Sequence, residues 1–400
     1  MAKDVKICLF FLVLFFFFAA LPSASAEVGV TDDEILIGTI QAMTGGMAYV
    51  GNQNVLGTKA MVEEINKKGG INGRKIRQIV MDDAYRTDRH VANVRRMISQ
   101  DKIFCFVFNL GTPTVLASIP LLNQFKVPLY GAATQSKLLD DQPLIFSDAA
   151  SYRQLTIQGI KYMMQKEGSK KIGVFYLDNP FGEEHLDAAR EYLQALGTKP
   201  VAEEKFKMDD YDVSSQATRL KKAGADCIVM AATPPGVAKI LKAMHSMDYY
   251  PKTIGPLMCS NPGFIKVAAK DAEGVFIMLP FKAPNRPELA PYRNLAKSYY
   301  PDKHVDNMMI AGMTNVFVFA EACKRAGKDL TRTNFIKAVE TISEKNIDLP
   351  YYKGADFYYA PDRHRASSSI IIGQIKDGKV IEATDWINWE NMPVPELEKK

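Results

Sequence analysis

The chain has 400 residues, 47% of them hydrophobic and 24% charged, with 50 basic against 45 acidic side chains and a formal net charge of +5. Such a composition excludes an intrinsically disordered or low-complexity chain, and basic residues scattered without banding offer nucleic acid no surface. The five histidines stand far apart and no Cys-x-x-Cys or His-Glu-x-x-His spacing occurs, so neither a metal site nor a cofactor is expected.

Residues 1–26 read as a cleaved signal peptide: Lys3 and Lys6 precede the apolar run 7–20, and Ala24-Ser25-Ala26 is a small-residue cleavage site. The run is shorter than the roughly 18–20 residues a membrane-spanning helix needs. Cys8 stands at its start, where it cannot be a lipid-attachment cysteine. The mature chain, about 370 residues, exceeds one core, so two domains are expected. Cys105 and Cys227 lie inside apolar runs and read as buried thiols; Cys259 and Cys323 complete an even count that permits pairing.

The run 35–40, ILIGTI, is nearly all apolar and reads as a parallel strand buried on both faces. Thr44-Gly45-Gly46 and Gly51-Asn52 then mark a glycine-rich loop before a helix with Val55, Met61, Val62 and Ile65 on one face. Lys67-Lys68 and Gly69-Gly70 end that helix, and Asn72-Gly73 turns the chain into the next strand, 76–81. A helix over 91–100 leads to strand 103–108. Thr112-Pro113 starts another helix, since threonine caps and proline at the first position forgoes no needed hydrogen bond. Strand 127–130 ends in the small-residue loop 131–134. Alternation resumes with helix 152–167, strand 171–177, loop 178–182 and helix 183–196. Strands 201–206, 226–231, 253–257 and 275–279 come next, with helices 213–223 and 237–247 between them. Helices over 287–300, 308–326 and 333–342 bring no strand of their own, and 369–375 and 379–383 flank the hairpin turn Asp377-Gly378. The pattern is α/β with two doubly wound parallel sheets, whose ligands collect beyond the carboxyl ends of the strands.

TGG at 44–46, EEINKKGGINGRKI at 63–76 and DDA at 82–84, in register with both strands, resemble the opening of the branched-chain amino-acid binding family of ABC importers, type I periplasmic binding proteins. The likeness extends over nearly the whole mature chain. It implies two lobes joined by three hinge segments near Phe146, Leu279 and Ser369. Lobe 1 is 27–147 plus 279–367, lobe 2 is 148–278 plus 368–400, and a ligand is closed between them. It also implies a periplasmic location, an ABC permease as partner and a monomer.

Matched along the family pattern, Thr112 is the hydroxyl residue at a helix start that receives a ligand carboxylate. Ala132, Ala133 and Thr134 form the second contact loop, with Tyr49, Asn109, Leu110 and Gly111 as neighbours. Free amides at a helix N-terminus beside a hydroxyl make an anion site without arginine, although Thr112 and Thr134 serve equally as cap and turn. On the second lobe the family's aromatic contacts fall at Phe181 and Thr233. Its acidic partner for the ligand's α-ammonium falls at Leu257. An ammonium without its counter-charge loses about 3–5 kcal/mol, so the expected ligand is an apolar or aromatic carboxylic acid without an α-amino group, against Phe181, Leu257 and Met258. Asp148 and Asp178 are the alternative sources of that charge, and Met309 reads as core.

The expectation is therefore a solute-binding protein of an importer; a binder of hydrophobic amino acids and a ligand sensor feeding a regulatory partner are the alternatives. No Gly-x-Ser-x-Gly elbow, phosphate loop or dinucleotide fingerprint supports an enzyme.

Overall fold

Apolar runs at regular intervals become parallel strands, and the computed structural model, which describes residues 27–389, sorts them into two sheets. The segment read as a signal peptide lies outside the described residues. In the first sheet β1 (Glu34–Gln41), β2 (Lys75–Asp82), β3 (Cys105–Val107) and β4 (Leu129–Tyr130) lie in the order β2–β1–β3–β4, all parallel. β1 is buried from Ile35 onward, as its unbroken apolar run requires between two neighbours.

The second sheet holds seven strands: β5 (Ile172–Leu177), β6 (Ala202–Phe206), β7 (Cys227–Ala231), β8 (Lys252–Pro256), β9 (Phe276–Leu279), β10 (Ile371–Lys376) and β11 (Lys379–Glu382). Their order is β11–β10–β9–β8–β7–β5–β6. Strands β5 to β9 pair in parallel, whereas β10 runs antiparallel to β9 and turns back at Asp377-Gly378 into β11.

Helices α1 (Ala48–Lys67), α2 (Thr87–Arg96) and α3 (Thr112–Phe125) follow strands of the first sheet. Helices α4 (Tyr152–Gln165), α5 (Pro180–Ala195), α6 (Ser214–Lys222), α7 (Pro234–His245) and α8 (Pro262–Ala268) belong to the second. After β9 come α9 (Ala290–Tyr299), α10 (Asn307–Ala326) and α11 (Arg332–Val339), and these return to the first sheet. α10 lies along α1 so closely that a Cβ on Gly57 would come within 2.0 Å of the Met309 carbonyl oxygen, and Met309 is core. Arg332 ties α11 down by donating to the carbonyls of Ile103 and Phe104, both at 2.9 Å.

The chain thus passes between the sheets at 146–151, at 280–283 and at 365–370. The first and last passages run side by side: Ser147 N–H donates to His364 O and Ala366 N–H to Ser147 O, both at 2.9 Å. One expectation is corrected. Gly51-Asn52 is no loop; the helix already begins at Ala48, and Gly51 lies inside it, where a Cβ would stand 2.0 Å from the Ala42 carbonyl oxygen. Glycine is needed there so that α1 can approach the end of β1. Cys105, Cys227, Cys259 and Cys323 are all buried and unbonded.

Candidate functional site

Two loops leave the carboxyl ends of β3 and β4 and run together. Leu110 bridges to Ala133 in parallel, and the Asn109 side-chain oxygen accepts the Ile40 N–H at 2.8 Å, fastening the first loop to β1. Gly111, at φ 108°, turns the chain into α3, and Thr112 is that helix's first residue. Thr112 Oγ1 and Thr134 Oγ1 are 2.7 Å apart, and both are buried.

A third hydroxyl completes this cluster. Tyr152 Oη lies 3.2 Å from Thr112 Oγ1 and 3.4 Å from Thr134 Oγ1, and the Tyr152 N–H donates to the Gln135 carbonyl at 2.9 Å. Its position follows from a capping box: Ser151 Oγ accepts the Gln154 N–H at 3.2 Å, and Gln154 Oε1 accepts the Ser151 N–H at 2.9 Å. This fixes Tyr152 as the first residue of α4. Burial raises its phenol pKa, so the hydroxyl keeps its proton.

The Tyr152 ring packs on Phe181 and His185, at centroid distances of 5.1 and 4.8 Å. Those two residues stand one turn apart on α5, a spacing that puts them on one face; the helix start is set by Asn179, whose side chain accepts the Gly182 N–H at 3.2 Å. His185 is fully buried. Its Nδ1 lies 2.5 Å from Thr156 Oγ1, its Nε2 has no partner, and desolvation pushes its pKa down to about 3, so the ring is neutral.

These groups close one side of a cavity between the sheets, with about 670 Å³ of empty space including its mouth. Val50, Asn54 and Phe108 line it from the first sheet's side, together with Met308 and Ala311 of α10. Leu155, Met278 and Phe281 line it from the other. Asp148 is its only lining carboxylate among the described residues; burial raises its pKa, against the Asn315 Nδ2 donor at 3.1 Å and the Tyr352 hydroxyl.

Of the residues expected at the site, Leu110, Ala133, Phe181, Leu257 and Met258 line the cavity. Thr112 and Thr134 stand behind Tyr152. Asn109, Gly111, Ala132 and Thr233 lie outside the lining, Thr233 buried at the start of α7. Tyr49 sits at the rim, 39% exposed, with its ring against Gly263 of α8 and its hydroxyl beside Gln53 and Asp306. Asp178 is off the lining and pairs with Lys205 at 3.4 Å. Tyr152, His185 and Asn54 went unread in the sequence; only the Ser151–Gln154 capping signature pointed near one of them.

Both rims are bridged. Glu184 of α5 accepts the Lys137 N–H at 2.9 Å and the Ser136 hydroxyl, and Asn307 Nδ2 lies 3.3 Å from Ser260 Oγ.

A model of the family described as periplasmic binding protein matches residues 34–379. An amino acid binding protein of Pseudomonas aeruginosa is 24% identical over 214 residues, 53% of this chain and 57% of that relative. The Leu/Ile/Val/Thr-binding protein of Salmonella typhimurium strain LT2 is 23% identical over 249 residues, 62% of this chain and 68% of the relative. The chain therefore spans little more than half to two thirds of the length of these curated relatives.

Among solved structures, a substrate-binding periplasmic protein from Ralstonia solanacearum has a TM-score of 0.79 at 25% identity, covering 88% of this chain and 100% of that one. A fatty acid ABC transporter substrate-binding protein from Thermomonospora curvata gives 0.84 at 22% identity, covering 93% and 97%. A branched chain amino acid ABC transporter from Thermus thermophilus with bound valine gives 0.82 at 20%, covering 90% and 97%.

Proposed function

Since the chain belongs to the periplasmic binding protein family, we propose that it is the solute-binding component of an ABC importer and closes on a small apolar or aromatic carboxylic acid lacking an α-amino group. The observation that carries the ligand class is the lining itself. Leu257 is on the lining, at the position where the family pattern puts the acid that pairs with an ammonium, and the one lining acid among the described residues, Asp148, is driven toward its neutral form by burial.

In this reading the lobes are 27–147 plus 279–367 and 148–278 plus 368–400, and the three passages between the sheets are the hinges. Opening about them separates Glu184 from Ser136 and Asn307 from Ser260; closure excludes water and presents the joined lobes to a permease. The protein works as a monomer in the periplasm.

A second reading has one observation in its favour: Asp148 does reach the cavity, and if ionised it could pair with the ammonium of a hydrophobic amino acid. Thermal-shift measurements on protein unfolded and refolded to strip bound ligand separate the two. Isocaproate and hydrocinnamate, which are leucine and phenylalanine without their amino groups, are expected to raise the melting temperature. Shifts with leucine or valine alone would favour Asp148 as counter-charge and overturn the acid reading.

A further inference from the structure

We propose that the ligand's carboxyl group is received by Tyr152 Oη and His185 Nε2 on the second lobe, with Thr112 and Thr134 acting behind Tyr152 as positioning residues. This rests on the acid reading above and names the atoms that meet the acid.

The start of α3 has little left to offer an anion. The Tyr85 ring packs against the backbone at that start, where a Cβ on Gly111 would come within 2.8 Å of it, and Pro113 has no N–H to give. Thr114 turns its hydroxyl back onto the carbonyls of Leu110 and Gly111, at 2.7 and 3.0 Å. The turn that carries Tyr85 there is held in place. Ala84 and Tyr85 both lie at positive φ, 52° and 61°, and the Tyr85 N–H donates to Asp83 Oδ1 at 2.7 Å. The other Asp83 oxygen is 2.7 Å from His90 Nδ1, with both side chains fully buried. Two successive non-glycine residues in the left-handed region persist only where their surroundings hold them.

Proton counting then directs a donor into the cavity. A phenolic oxygen accepts two hydrogen bonds and donates one. With Thr134 donating to Thr112 across 2.7 Å and Thr112 to Tyr152 across 3.2 Å, one of the two directions these distances allow and the one the proposal assigns, both threonine protons are used. The Tyr152 proton alone is left for the cavity that this residue lines. A chain of hydroxyls of this kind polarises its last member and makes it a better donor.

His185 supplies the second donor. With the Thr156 hydroxyl donating to Nδ1, the proton of the neutral ring sits on Nε2, which is buried and unpartnered, and His185 is a lining residue. The ring stands beside that of Tyr152, 4.8 Å between centroids, and both residues line the cavity. That pair suits the two oxygens of a carboxyl group, with an apolar body resting on Phe181, Leu257 and Met258.

The test is calorimetric titration of the refolded protein with isocaproate and hydrocinnamate, each variant checked for an intact melting transition. Tyr152→Phe and His185→Leu are each expected to weaken binding tenfold or more, whereas His185→Gln, which restores an N–H donor, stays within about threefold of wild type. Thr112→Val is expected to weaken binding threefold or less, and to add nothing once Tyr152→Phe is present, because it acts through that hydroxyl. Wild-type affinity in Tyr152→Phe, with a tenfold or greater loss in Thr112→Val, would place the head at α3 and overturn the proposal. If wild type takes leucine and neither acid, the acid reading fails separately. The same variants titrated with leucine then still decide whether its carboxylate rests on Tyr152 and His185.

Discussion

The wall built from the first sheet and the wall built from the second use their polar atoms differently. On the first, the hydroxyls of Thr112 and Thr134 are taken up by each other and by Tyr152, and the lining atom left without a partner, Asn54 Oδ1, is an acceptor. On the second, His185 Nε2 has no partner and Tyr152 keeps a proton to give. An unpaired acceptor repels an anion and a pair of donors attracts one. In the proposed arrangement a shared framework fixes where loops meet, while a few helix positions decide which side holds the polar head.

The largest effect expected from disturbing this contrast is on stability. The His185 pKa falls from 6.5 to about 3 on folding, so folding favours the neutral ring. That contribution is fully present above pH 6.5 and is lost as pH falls toward 3, a span worth on the order of 5 kcal/mol. Denaturant titrations across this range should show a steeper loss of stability in wild type than in His185→Leu; equal slopes would mean that His185 contributes none of it.

Next comes Leu257→Glu. An added carboxylate on the apolar wall should cost acid binding about 3 kcal/mol and favour leucine, measured by competition between leucine and isocaproate. Unchanged preference would show that Leu257 lies away from the ligand's α-carbon.

Asp148 gives a smaller effect of opposite sign. Its folded-state pKa is raised, so its favourable contribution is complete below its unfolded value of 3.8 and is lost as pH rises through the folded one. Asp148→Asn should therefore melt about 2 °C higher than wild type at pH 7, lose that advantage below pH 4, and leave acid binding intact. Abolished binding would restore Asp148 as a ligand contact. Smallest is Glu184→Gln, which weakens the bridge to Ser136 and Lys137; affinity should drop by about 0.5–1 kcal/mol, with a larger radius of gyration in ligand-free scattering.

Much of the fold was legible because its signals are local. The ILIGTI run gives β1, Asn72-Gly73 gives a turn with both residues at positive φ, and Asp377-Gly378 gives the β10–β11 hairpin. Gly51 misled because a glycine that admits close packing and one that breaks a helix look alike until the neighbour at Ala42 is known. In the site, Leu110, Ala133, Leu257 and Met258 follow strand ends, and Phe181 the first turn of the helix after β5, so topology alone brings them to the cleft. His185 reaches it from within α5, and Tyr152 from the start of a helix after a hinge; which face of a helix meets the other lobe depends on how the lobes pack. The packing of Tyr85 against Gly111 at the α3 start was hidden for the same reason, since it depends on a strained turn held by a buried Asp83–His90 pair.

Leucine and isocaproate differ only by an ammonium group, so calorimetric titration of the ligand-stripped protein with each tests the central claim most directly. Saturable binding of isocaproate, at least tenfold tighter than leucine, is the predicted result. Leucine binding the tighter of the two would contradict the account and return the ammonium, with Asp148 as its partner, to the centre of the cavity.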